Sequence, residues 1–201
     1  MSPARTSPSI GLCPLGFLDL SPPRLVELAA EAGFASVGLR TRAATSGGVE
    51  YAIHTDTALL RDTRRAVAAT GVRVSCVEQI GLFRDTDVAA LRPMLEAGAE
   101  VGARRVVCSG DDADPAVVAE RFAQLCALAA DCGMAVDLEF MMFRAVRTVQ
   151  AAREVVLRSG AANGAIVVDV LHLVRSGGSA DDLARLEPRL IGAVQLCDAP
   201  L

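Results

Sequence analysis

Three side chains with oxygen donors lie at the ends of short apolar runs. Glu139 falls near the end of the run 135–140, Asp169 directly follows Ile166-Val167-Val168, and Gln195 lies in the run 193–196. Burying an isolated carboxylate is costly unless a metal, an arginine or hydrogen bonds compensate its charge. If these runs are neighbouring parallel strands, the three side chains converge on one point, and hard oxygen donors suit magnesium or manganese. The pattern therefore predicts a divalent-metal site built from Glu139, Asp169 and Gln195.

Other polar residues are secondary candidates, each with a structural alternative. Glu78 and Gln79 follow a third apolar run, where they would either line a substrate cleft or cap a helix. Asp111 and Asp112 stand where a helix begins, and carboxylates there favour the helix N-terminus. His54 and Arg42 fall in one long loop, where they would contact a hydroxyl, carboxylate or phosphate of a substrate, or remain solvated. No glycine-rich nucleotide fingerprint follows a strand, so no nucleotide cofactor is predicted.

Short β-branched runs alternate with longer segments of helical period, a pattern that indicates parallel strands joined by crossover helices. Helix-start residues such as Ser21-Pro22 and Asp114-Pro115, and helix-end glycines such as Gly33, mark the boundaries. Helices are predicted at about 21–33, 56–71, 87–101, 114–133 and 148–159, with a sixth starting near 179. The predicted strands are 10–13, 36–39, 72–77, 105–108, 135–140, 165–170 and 193–196.

Seven such strands favour a parallel α/β barrel over an open doubly wound sheet. The predicted fold is a (β/α)8 TIM barrel, truncated after the seventh strand, because such barrels take ~250 residues and the chain has 201. Residues 1–9 are predicted to be a disordered tail, and residues 10–201 a barrel domain without its last βα unit. Exposed edges on the first and seventh strands lead us to expect poor solubility or pairing between copies, as in a homo-oligomer.

Composition limits the remaining classes. The chain is 52% hydrophobic and 22% charged with a net charge of −4, which indicates a globular domain. It has no basic stripe with interleaved aromatics and no run of ~20 apolar residues, so neither a nucleic acid nor a membrane is an expected partner. The six cysteines form no Cys-x-x-Cys pair. We expect them to be buried, reduced thiols in a cytoplasmic protein.

Several segments carry a family resemblance that spans nearly the whole chain. They are Val136–Phe140, the Asp-x-x-His element in Val168–His172, Arg175–Gly177, Gln195–Pro200, and the helix-like opening Pro23–Phe34. With these segments the sequence resembles the xylose isomerase-like TIM barrels. That family includes sugar phosphate isomerases and epimerases, inosose dehydratase and 3-dehydroshikimate dehydratase.

The resemblance implies roles for individual residues. Glu139 would be a metal ligand that also takes part in proton transfer, Asp169 a second ligand, and His172 a residue beside the metal that hydrogen-bonds substrate. Many sugar isomerases of this group have histidine as third ligand where this chain has Gln195, and Gln195 followed by Asp198-Ala199-Pro200 resembles the 3-dehydroshikimate dehydratase branch. No residue matches the family's fourth ligand, a glutamate on the eighth strand.

These observations lead to one functional hypothesis with two alternatives. The preferred hypothesis is a divalent-metal-dependent isomerase or epimerase that moves the proton alpha to the carbonyl of a small, sugar-like polyhydroxylated substrate. The expected metal is magnesium, manganese or cobalt, with zinc as a further option, and Asp198, Glu78, His54 and Arg42 are expected to bind substrate. The alternatives are a dehydratase, which is a lyase, and a non-catalytic truncated barrel.

Overall fold

The computed structural model describes residues 10–197, so the predicted tail at 1–9 and Asp198 lie outside the described residues. Its seven strands form one parallel sheet in which each strand pairs with the next along the chain. This arrangement confirms the predicted α/β barrel wall. The strands are β1 (Gly11–Leu12), β2 (Ser36–Arg40), β3 (Arg73–Leu82), β4 (Arg105–Gly110), β5 (Ala135–Glu139), β6 (Gly164–Asp169) and β7 (Ile191–Gln195).

The helices follow the strands, and several begin and end at residues with clear local causes. Asp56 accepts a hydrogen bond from the Leu59 N–H and so caps the second helix, while Gly71 ends it in the left-handed conformation with φ +73°. Asp114 and Thr148 cap two later helices in the same way. The helices are α1 (Pro22–Glu31), α2 (Thr57–Thr70), α3 (Arg92–Glu100), α4 (Pro115–Asp131), α5 (Val149–Ser159), α6 (Val170–Arg175) and α7 (Ala180–Ala184).

The apolar faces of these helices cover the outside of the sheet. Phe122 and Leu125 of α4 are fully buried, and fully burying such a side chain contributes about 2 kcal/mol. A Cβ atom at Gly164, the first residue of β6, would lie 2.6 Å from the Phe122 ring. The glycine at this position therefore lets α4 pack directly against the sheet.

An ion pair lies in the interior of the curled sheet. Asp137 of β5 is 1% exposed and accepts two hydrogen bonds from the Arg105 guanidinium of β4. The hydrogen bonds from Arg105 to Asp137 raise the pKa of Arg105. A Cβ at Gly192 of β7 would overlap Asp137, so side chains of β5 reach the inner side of a strand two places away. The sheet therefore curls as a barrel wall does.

Three differences from the predicted boundaries are found, and the first two affect the candidate site. Strand β3 runs to Leu82, so Glu78 and Gln79 lie within the strand and not in a following loop. Strand β6 ends at Asp169 and α6 begins at the next residue, whereas the next predicted helix began only near residue 179. The predicted helix at 87–101 is a 3-10 turn at Ala89–Leu91 that leads into α3.

The cysteines and the helix lengths bear on two further expectations. All six cysteines are free, but only Cys108 and Cys126 are buried, while Cys13 and Cys197 are exposed. The expectation of uniformly buried thiols was therefore wrong. None of the helices between residues 10 and 197 is long and apolar enough to cross a membrane.

Candidate metal centre

Three potential metal ligands meet at the carboxyl ends of β5 and β6. Glu139 pairs in register with Val167, and Asp169 lies two residues beyond Val167, so both carboxylates point to the same face of the sheet. Asp169 also starts α6, which places His172 beside them. One ligand atom from each of Glu139, Asp169 and His172 lies within 4.8 Å of the other two.

The two oxygens of Glu139 have different surroundings. Oε2 accepts a hydrogen bond of 2.8 Å from Gln79 Nε2, while Oε1 lies 3.8 Å from His172 Nε2. Burial, with smaller contributions from the charges of Glu78 and Asp169, raises the pKa of Glu139 to about 7. Close to neutral pH, this carboxyl group therefore exchanges a proton readily.

Asp169 is held by its own helix and by a neighbouring thiol. Its Oδ1 accepts a 3.1 Å hydrogen bond from the backbone N–H of His172, and the Cys197 Sγ donates from 3.4 Å to Oδ2. Gln195 pairs in register with Asp169, so its side chain leaves the sheet on the same face. The register is compatible with Gln195 as a ligand, which stays a prediction, whereas His172 already lies within the three-residue cluster.

His172 has the properties of a neutral imidazole ligand. Burial lowers its pKa, so the ring is neutral near pH 7. Its Nδ1 atom is buried and has no hydrogen-bond partner among residues 10–197. The Phe143 ring packs edge-on against it, with ring centroids 5.5 Å apart. Two carboxylates and one imidazole are donors that manganese, cobalt and zinc accept, so this cluster fits a divalent cation.

A buried ion pair lies beside the cluster. Glu78 of β3 is 5% exposed, and its Oε1 lies 3.0 Å from an Arg40 guanidinium nitrogen at the end of β2. Burial raises the pKa of Glu78, and the Arg40 charge opposes this rise. Glu78 therefore caps no helix, and it affects the site through its charge on Glu139.

A cavity of about 990 Å³ opens among the loops at the same ends of the strands. Arg42, His54 and Phe83 line it together with Arg144, whose Nη1 lies 3.3 Å from Asp111 and whose Nη2 donates to the Ala44 carbonyl. The three residues of the metal cluster are not part of this lining. The loop after β2 thus borders a space at the same end of the sheet as the candidate centre.

The predicted site residues therefore fall into groups. The structure brings Glu139, Asp169 and His172 together and places Gln195 on the same face. Of the four residues predicted to bind substrate, Arg42 and His54 line the cavity, Glu78 is buried against Arg40, and Asp198 lies outside the described residues.

Two residues, Phe143 and Arg144, shape the site without having been predicted to belong to it. Phe143 packs on His172, and Arg144 joins two loops. Gln79 was predicted, with Glu78, to line a substrate cleft or cap a helix; in the structure it lies within β3 and donates to Glu139.

The fold and the cluster can be compared with known proteins. The family model of the xylose isomerase-like TIM barrel matches residues 26–201. This chain belongs to that family. A comparison with curated proteins finds no match.

Solved structures of similar fold include several enzymes. The 3-keto-D-glucoside 4-epimerase of E. coli superposes with a TM-score of 0.77 at 17% identity, over 96% of this chain and 80% of that one. The IOLI protein, solved with a bound zinc atom, gives 0.77 at 17% identity over 94% and 72% of the two chains. A probable 3-DHS dehydratase of Bacillus anthracis gives 0.76 at 17% identity over 93% and 72%. At these identities the likeness establishes the fold alone.

Proposed function

We propose that this chain is a divalent-metal-dependent isomerase or epimerase that transfers the proton alpha to the carbonyl of a small polyhydroxylated substrate. The observation that carries the proposal is the cluster of Glu139, Asp169 and His172 at the carboxyl ends of the strands. In barrels of this class, catalytic groups lie at that end. We also propose that residues 10–201 act as one barrel domain.

Glu139, Asp169 and His172 are the proposed ligands, with Gln195 as a further oxygen donor. A bound divalent ion would act as a Lewis acid that stabilises negative charge on the substrate oxygens. Magnesium, manganese, cobalt and zinc remain the candidate ions. Support for metal binding in this fold comes from the IOLI protein with its zinc atom.

Glu139 is the proposed proton-transfer group. Burial raises its pKa to about 7 in the metal-free protein, and a bound cation would lower that pKa, so Glu139 would be ionised near neutral pH and able to accept the proton alpha to the carbonyl. His172 is neutral there, so its Nε2 can either bind the ion or hydrogen-bond a substrate hydroxyl or carbonyl. Arg42 and His54 border the neighbouring cavity, where they would contact the remote end of the substrate.

A second candidate function is a dehydratase, in which the same proton abstraction is followed by loss of water. Gln195 favours it, because this residue stands in register with Asp169 at the position where many sugar isomerases of the group have a histidine. The fold likeness to a probable 3-DHS dehydratase is compatible with this alternative.

Solvent exchange tests both candidates. Metal-loaded protein is incubated in D2O with a panel of ketoses, keto-sugars and dehydroshikimate-like acids, and substrate deuteration is followed by NMR. The expected result is deuterium at the carbon alpha to the carbonyl, lost in Glu139→Gln and retained in Glu154→Gln, which changes an exposed carboxylate on α5. Epimer formation supports the first candidate, and loss of water with a new double bond supports the second. No exchange with any compound would favour the non-catalytic alternative.

A further inference from the structure

An irregularity in β3 brings Gln79 into the candidate centre. Against β4, Val77 pairs with Val106 and Ile80 pairs with Cys108, so two residues of β3 stand opposite one residue of β4. Such a bulge redirects side chains. Here it lets both Glu78 and Gln79 turn inward, Glu78 to Arg40 and Gln79 to Glu139.

The contact with Gln79 gives the two Glu139 oxygens different partners. Gln79 is 5% exposed, and its Nε2 donates to Oε2 over 2.8 Å. Only Oε1 is left on the side of His172, at 3.8 Å. We propose that Gln79 is a positioning residue that restricts Glu139 to binding the metal through the single oxygen Oε1. This inference rests on the proposed metal site. It goes beyond that site by naming a residue that determines which ion binds there.

A second feature of Gln79 indicates a role beyond packing. Its Oε1 atom is buried and has no hydrogen-bond partner among the described residues. Buried polar atoms in native proteins nearly always have a partner, and departures from this rule are most common at functional sites. An apolar side chain of the same length would fill the position without leaving an acceptor unpaired. The presence of an amide at this position is therefore explained by the hydrogen bond that its N–H group donates to Glu139.

Single-oxygen binding has consequences for the choice of ion. Calcium takes six to eight oxygen ligands and readily accepts both oxygens of one carboxylate. Manganese, cobalt and zinc are satisfied by fewer protein donors, which leaves positions for substrate oxygens. Holding Oε2 therefore disfavours calcium and keeps coordination positions open for the substrate.

The test compares ion affinities of metal-stripped protein by isothermal calorimetry with Mn²⁺ and with Ca²⁺. Gln79→Met keeps the length of the side chain but removes the donor, and Gln79→Asn keeps an amide that is one methylene too short to reach Oε2. The matched control is Ile80→Val, which trims a buried residue of the same bulge without touching Glu139. Thermal unfolding of each variant identifies those that fold.

The expected result is a loss of Mn²⁺ affinity of about tenfold or more in Gln79→Met and Gln79→Asn, as for other residues that orient metal ligands. The Mn²⁺-to-Ca²⁺ affinity ratio should fall as well, because Glu139 can then bind through both oxygens, while Ile80→Val keeps the ratio of the parent. An unchanged Mn²⁺ affinity, or an equal loss for both ions at constant ratio, would overturn the inference. Failure of the underlying metal site is distinguishable, because Glu139→Gln would then also leave ion binding unchanged.

Discussion

The metal-free protein should become less stable as the pH rises through the range in which Glu139 loses its proton. Burial raises the pKa of this carboxyl group from 4.5 to about 7 in the folded protein. Between these values the folded state binds more protons than the unfolded state, so the free energy of unfolding falls as pH increases. The contribution of Glu139 is fully present below about pH 4.5 and is lost as the pH passes the folded pKa of about 7.

The size of this change in stability follows from the difference between the pKa values of Glu139 in the unfolded and folded states. One pKa unit corresponds to ~1.4 kcal/mol, so the rise from 4.5 to about 7 corresponds to about 3 kcal/mol of unfolding free energy. The Glu139 side chain is only 12% exposed, so solvent screening reduces this value little. A loss of this size is a large fraction of the stability of a typical domain.

Urea unfolding in the presence of a chelator measures this contribution. The free energy of unfolding is determined between about pH 4.5 and about pH 8 for the parent protein, for Glu139→Gln and for the surface control Glu154→Gln. The parent and the control should lose about 3 kcal/mol more across this range than Glu139→Gln. If Glu139→Gln showed the same pH dependence as the parent, Glu139 would not be the buried, proton-binding group described above.

Three further outcomes are expected. Mn²⁺ affinity should fall about tenfold for each pH unit below about 7, because protonated Glu139 cannot bind a metal; calorimetry at several pH values would measure this, and a flat profile would argue against Glu139 as a ligand. Asp137→Ala should lower the free energy of unfolding by about 2–3 kcal/mol, because it leaves a partly buried arginine without its partner; a change within experimental error in urea unfolding would contradict this. Gly110→Ala should lower the free energy of unfolding by about 1–3 kcal/mol, because the added Cβ would overlap a buried valine. Gly16→Ala is the control and should cost little, because no atom lies within 4 Å of its Cβ. Equal shifts of the thermal unfolding midpoint in the two variants would refute the packing argument.

The barrel strands and the central carboxylates were predictable because both depend on local patterns. Apolar runs near Glu139 and Asp169 are the buried strands β5 and β6, and a carboxylate that ends such a run lies at the carboxyl end of the sheet. The register of β7 then placed Gln195 beside Asp169, as the spacing indicated. His172 lies close to Glu139 because α6 starts immediately after Asp169. The sequence pattern did not predict this early helix start.

The remaining features depend on contacts between segments distant in sequence. The bulge that turns Gln79 inward arises from pairing with β4, and the sequence of β3 alone does not predict it. Asp111 was expected at a helix entry, but it accepts a hydrogen bond from Ser109 and pairs with Arg144, which comes from the loop after β5. Asp114 caps the helix, as the Asp114-Pro115 pair predicted. Side-chain partners of this kind are fixed by the curl of the sheet.

Metal content tests the central claim most directly. Protein purified after exposure to Mn²⁺ or Zn²⁺ and gel filtration is analysed by elemental mass spectrometry beside Glu139→Gln, Asp169→Asn and the control Glu154→Gln. The parent and the control should retain close to one ion per chain, and both cluster variants should lose it. Equal metal content in all four proteins would show that Glu139 and Asp169 do not form a metal centre.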